Sequence, residues 1–180
     1  MRVQACAFGL LAATGILWAM GGTQHERPVL AAGAADTVRG LEANAEMHPA
    51  DPQATERLAQ AYLDARQPGL AIVLFESAAS DVQETPRVRH AYARALVDAG
   101  RSDEALAAEQ HVVERCAPVV NGVAVAGCDS VLLASAMRRA DILRELVSLG
   151  VQDAQAHPEE SLVAYQNATR EARVMVASVE

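Results

Sequence analysis

The strongest constraint on this chain is a segment that is written twice. Pro52-Gln-Ala-Thr-Glu-Arg-Leu-Ala-Gln-Ala-Tyr aligns with Pro86-Arg-Val-Arg-His-Ala-Tyr-Ala-Arg-Ala-Leu. Pro52 falls on Pro86, Ala59 on Ala93, Tyr62 on Leu96 and Ala71 on Ala105, each 34 residues apart. A period of this length belongs to helix–turn–helix units that stack on their neighbours. In the first copy Leu58, Ala59, Tyr62 and Leu63 share a helix face over 53–65, and Gln67-Pro68-Gly69 reads as the turn. Ala71, Leu74, Phe75 and Ala78 then share a face over 70–79. In the second copy the corresponding faces are Val88, Tyr92, Ala93 and Leu96, then a turn at Ala99-Gly100-Arg101. Ser102 reads as an N-cap, with Asp103 and Glu104 in the first turn behind it.

Composition points the same way. Hydrophobic residues make up 51% but aromatics only 3%, so Ala, Leu and Val must build the core. Small side chains suit close helix packing, and the β-branched residues do not alternate as strands require. The expected fold is therefore all-α. The formal charge is −8 and every one of the fifteen cations is arginine, a balance that excludes nonspecific nucleic-acid binding.

The repeats and their spacing resemble the tetratricopeptide repeat family. The first unit carries Ala59, Tyr62, Ala71, Phe75 and Ala78 at the family positions, and the second carries Ala93, Gly100 and Ala105. It departs at Leu96 for the tyrosine, Glu109 for the aromatic and Val112 for the alanine. The resemblance implies a short right-handed α-solenoid. It has a half-repeat over 34–51 and units over 52–85 and 86–118, followed by a Cys-bracketed loop or hairpin over 119–128 and a helical cap over 129–180. It also implies a concave groove lined by the first helix of each unit. Gln53, Glu56, Gln60 and Asp64 occupy those positions in the first unit, and Arg87, His90, Arg94 and Asp98 in the second. Arg87, His90 and Arg94 are three and four apart and share one face. Such a cationic stripe suits a carboxylate or an acidic segment of a protein or peptide partner. Taken alone, its residues favour the blander alternative, a solvated face paired with nearby acids such as Glu56.

Outside the units, residues 34–47 show helical spacing through Val38, Leu41 and Ala45, with Met47 at the edge. In the bracketed loop, Asn121-Gly122 between β-branched residues is a hairpin signal that would pair Val120 with Val123, against an irregular loop. Residues 129–149 place Leu132, Leu133, Ala136, Ala140, Leu143 and Val147 on one face before Gly150. They read as one long helix or as an ankyrin-like pair. The last helix, 158–179, is expected to turn Leu162, Tyr165, Ala172, Met175 and Val179 inward.

The chain begins as an export signal does. Arg2 precedes an uncharged, largely apolar run over 5–20, and Ala19 and Gly21 fit a peptidase site. Residues 1–21 are thus expected to be a signal peptide and 22–33 a linker. The alternative is an inner-membrane anchor over 3–20, the one case in which the chain would touch a membrane. The expected compartment is periplasmic or secreted. There disulfides persist, and with Cys6 removed only Cys116 and Cys128 remain to pair.

Catalytic patterns are missing from the sequence. The histidines at 25, 48, 90, 111 and 157 lack metal-site spacing, no Cys-x-x-Cys occurs, and there is neither a phosphate loop nor a nucleophile elbow. The expectation is a noncatalytic scaffold without metal or cofactor. A small-anion binder or an accessory subunit of an envelope enzyme is the other class.

Overall fold

The computed structural model describes residues 32–177, with side chains over 35–170. The expected signal segment, the expected linker up to residue 31 and Val179 lie outside the described residues, and the side chains of Ala172 and Met175 lie outside the described side chains, while α1 already begins at Ala32, inside the expected linker. The described part is all helical, without a strand. In order it holds α1 (Ala32–Met47), α2 (Pro52–Asp64), α3 (Pro68–Ser77), α4 (Ser80–Gln83), α5 (Pro86–Asp98) and α6 (Ser102–Cys116). A 3-10 turn (Ala117–Asn121), α7 (Ser130–Ser148) and α8 (Pro158–Ala177) follow.

Three of these starts follow from proline. Pro52, Pro68 and Pro86 each stand in the first turn, where the missing N–H costs nothing. Pro68 thus opens α3 and is not part of the turn, which shrinks to 65–67. Two aspartates act as caps: Asp51, just before Pro52, accepts from Gln53 N at 2.9 Å, and Asp129, at the start of α7, accepts from Leu132 N at 2.8 Å. Ser102 is no cap. Arg101 takes that place, while Ser102 is buried inside the helix and donates to the carbonyl of Gln152 at 2.6 Å.

The sequence period returns in the backbone. Gln67 N donates to Tyr62 O at 2.8 Å, and Arg101 N donates to Leu96 O at 2.9 Å, 34 residues on. Val151 N donates to Leu146 O at 3.0 Å in the same way at the end of α7. Each is the long hydrogen bond of a Schellman turn, which requires a left-handed residue one position earlier. Gly100 and Gly150 fill it at φ 73° and 74°, but the first unit uses Arg66 at φ 54°. A side chain in that region is strained by about 1 kcal/mol. Arg66→Gly should therefore raise stability by about 1 kcal/mol in urea denaturation. Gly100→Ala should lower it by roughly 1–2 kcal/mol. Its Cβ would both occupy the left-handed region and sit 3.1 Å from Asp153 Cβ.

Packing runs from neighbour to neighbour. α1 lies on α2, α2 and α3 on each other and on α5, α5 on α6, α6 on α7, and α7 on α8. Between the units Phe75, Val82 and Val88 form a core cluster with Ala78 and Tyr92. The rings of Phe75 and Tyr92 stack at 3.9 Å. α4 was not visible in the sequence pattern, yet its Val82 is fully buried in this cluster. Between α6 and α7 a second cluster gathers Val112, Cys116, Leu132, Leu133 and Ala136. Tyr62 fastens α1 to α2 by donating to Glu42 Oε1 at 2.8 Å. Its phenol is pushed up to about 12 by burial first and by that carboxylate second.

Two open alternatives are decided and two expectations are corrected. The Asn121-Gly122 hairpin does not form. Pro118 has no N–H to give and suits a tight helical turn. A 3-10 turn results, in which Gly122 N bonds Val119 O at 3.0 Å, and Gly122 ends it at φ 75°. Residues 130–148 are one helix, not an ankyrin-like pair. Met47 is 69% exposed. Leu162 and Tyr165 also face outward, because α8 packs on α7 through the smaller Ala164 and Ala168. Cys116 and Cys128 are disulfide-bonded as expected, with 5.5 Å between their Cα atoms.

Candidate functional site

Seven of the eight positions expected to line a groove fall into two groups along α2 and α5, and His90 belongs to neither. Gln53, Glu56 and Arg87 line one cavity of about 580 Å³, together with Asp51, Asp81 and Arg115. One turn or more along, Gln60, Asp64 and Arg94 are linked side chain to side chain, with Asp98 one turn beyond Arg94 on α5. Gln60 is the link. Its amide nitrogen donates to Asp64 Oδ1 at 2.6 Å, and its oxygen accepts from Arg94 Nη1 at 2.6 Å. The two partners in that second bond are 34 residues apart, so equivalent positions of the two units meet directly.

The cationic stripe is already engaged within the chain. Arg87 ion-pairs with Asp129, the cap of α7. The cap bond from Leu132 holds the Asp129 carboxyl below the usual range, and Arg87 adds to the effect. His90 turns inward, and its Nδ1 lies 2.8 Å from Glu109 Oε2 on α6. Its Nε2 lies 3.3 Å from Ser135 Oγ on α7. Of the three, Arg94 is the one without an acidic partner: it binds the neutral Gln60, and no carboxylate lies within ion-pair distance of it among the described residues.

Glu109 is the centre of this region. It stands 34 residues after Phe75, in the core position where the family pattern has an aromatic, and it is fully buried. A buried carboxylate needs a charge partner and full hydrogen bonding. Arg139 on α7 supplies the charge, donating to Glu109 Oε1 at 3.1 Å. Burial pulls the Arg139 guanidinium below the ordinary arginine range, with Glu109 opposing the fall and the like charge of Arg94 adding to it. Among the described residues no buried polar side-chain atom is left without a partner. Sequence reasoning noticed Glu109 only as a departure and missed Ser135 and Arg139. A charged residue at an inward repeat position was the available signal: it demands a cation from a packed helix.

Ser135, His90 and Glu109 stand in the order of a nucleophilic triad. Chemistry also needs donors for a developing oxyanion. Ser135 lies in the middle of α7, where backbone N–H groups are spent on helix bonds. The arrangement can lock three helices together. Among the described residues no group of three or more potential ligands could hold a metal ion. No helix there is long and apolar enough to cross a membrane. A second cavity, of about 570 Å³ between α1, α2 and the end of α3, has mainly apolar walls such as Leu58, Leu74 and Ala78. It contains none of the expected groove residues.

Comparison with known families, with curated proteins and with solved structures finds no match to this chain.

Proposed function

We propose that this chain is a noncatalytic interaction scaffold of the tetratricopeptide type, binding a protein or peptide along the face shared by α2 and α5. The Gln60–Arg94 bond carries this reading, since it joins equivalent positions of two units on one polar face. The equally spaced Schellman turns at Arg66 and Gly100 support it. In this reading the units form a short right-handed solenoid, α1 is the remnant of a preceding unit, and α7 and α8 cap the other end. The disulfide supports work in an oxidising compartment, here the cell envelope.

Arg94 is the contact for an acidic group of the partner, because its own bond is to a neutral amide. A small-anion binder is the competing reading and draws on the like charges of Arg94 and Arg139. Arg139 is itself neutralised by Glu109 at 3.1 Å, so the peptide scaffold is preferred. The test is capture of a partner from envelope extract by the tagged chain. Arg94→Glu should weaken capture about fivefold, and rising salt should weaken capture by the unaltered chain. The helical circular dichroism should stay unchanged. Capture no better than the tag alone, or equal loss of helix and capture, overturns the proposal.

A further inference from the structure

The cavity at the start of α2 and α5 differs in charge from the Arg94 end of the same face. Its walls carry the carboxylates of Asp51, Glu56, Asp81 and Glu84 and the guanidiniums of Arg87 and Arg115. Two of these six are spent on residues outside the cavity. Arg87 is held by Asp129, and Glu84 is shared by Arg89 and His111. Asp51 and Asp81 accept backbone N–H groups and meet no cation. Glu56 has no hydrogen-bond or ion-pair partner among the described residues, and neither has Arg115. Three carboxylates therefore face the space against one guanidinium. The stripe that looked cationic in sequence presents little positive charge here.

The cavity also has a fixed outer wall. Ala126 and Gly127 form it. The next residue, Cys128, is bonded to Cys116 at the end of α6, and Asp129 beyond it grips Arg87 on α5. Gly127 approaches α5 so closely that a Cβ would sit 3.3 Å from Pro86 Cδ. A loop pinned at both its covalent and its ionic contact gives a cavity of defined shape. Its volume of about 580 Å³ suits a few residues of an extended chain.

We infer that this cavity seats a basic segment of the partner peptide, with a lysine or arginine side chain directed at Glu56 and Asp81. The inference rests on the scaffold reading and adds to it the chemistry of one end of the groove. Arg94 lies outside this cavity, so an acidic contact there and a basic contact here are separate features of one partner.

The test uses three labelled dodecapeptides, built from Ala with Lys, Ala with Gln, and Ala with Glu, titrated against the full chain by fluorescence anisotropy at low salt. The Lys peptide should bind about tenfold more tightly than the Gln peptide, and salt should erase the difference. Glu56→Gln with Asp81→Asn should weaken the Lys peptide about fivefold. Glu159→Gln with Glu160→Gln makes the same charge change on the exposed start of α8 and should leave binding unchanged. Equal weakening by both pairs would mean attraction to the overall charge of −8, and would overturn the cavity assignment. Tighter binding of the Glu peptide would overturn it too, while sparing the groove if Arg94→Glu abolishes that binding. Failure of all three peptides removes the basic-segment inference. The groove itself is then judged by partner capture alone.

Discussion

Arg139→Met should lower the stability of the folded chain by about 3 kcal/mol. Glu109 has no exposed surface, while the Arg139 side chain keeps 27% of its own. Removing the arginine leaves a carboxylate that water cannot reach with only the His90 contact at 2.8 Å. Removing the carboxylate strands a guanidinium that can still turn to solvent. Glu109→Leu should therefore cost less than Arg139→Met, although it deletes the same ion pair. The double variant should be more stable than Arg139→Met alone, because an apolar pair replaces a buried charge. Urea denaturation followed by circular dichroism at pH 7 gives the three free energies, and the double-mutant cycle gives their coupling. Additive losses would mean that the two groups do not depend on each other, contrary to their geometry.

The same residues show what could be read from sequence. The helices over 52–64 and 86–98, the 34-residue period and the buried faces through Leu58, Ala59, Val88, Ala93 and Leu96 follow from spacing alone. Local rules decide such features, so a linear pattern records them. The His90–Glu109–Arg139 network brings together α5, α6 and α7, and no periodicity links residues 90, 109 and 139. Only the charge at Glu109, misplaced by the repeat pattern, hinted at it. The Asn121-Gly122 signal was ambiguous for another reason. That dipeptide suits a hairpin and also suits the left-handed end of a helical turn, and Pro118 chose the second. On α8 the large apolar residues were expected inside. Close packing on α7 selected Ala164 and Ala168 instead, since small residues let the helix axes approach.

Loss of the Cys116–Cys128 bond should have a comparable effect, about 3 kcal/mol in the chain-entropy account of a loop this short. For a chain of this size that corresponds to a fall in Tm of roughly 10 °C. Cys128→Ser is the appropriate variant. Cys128 is only partly buried, whereas Cys116 is fully enclosed by Val112, Leu132, Leu133 and Ala136. A lone Cys116 thiol can stay in that core as a small apolar group. A serine hydroxyl in its place would add an unrelated burial cost. The bond joins the end of α6 to the residue before the α7 cap, so its loss frees residues 117–128 and loosens the hold of Asp129 on Arg87. Thiol titration checks the premise. The chain has three cysteines, so the denatured, unreduced full-length protein should titrate one thiol, that of Cys6, and three after reduction. Three thiols before reduction would refute the bond. Thermal melts with and without reductant then separate the two parts of the effect. Reductant should lower the Tm of the natural chain to that of Cys128→Ser and leave the variant unmoved. If the reduced natural chain stays well above the variant, the serine itself is the source of the loss, and the disulfide contributes less than its loop entropy implies.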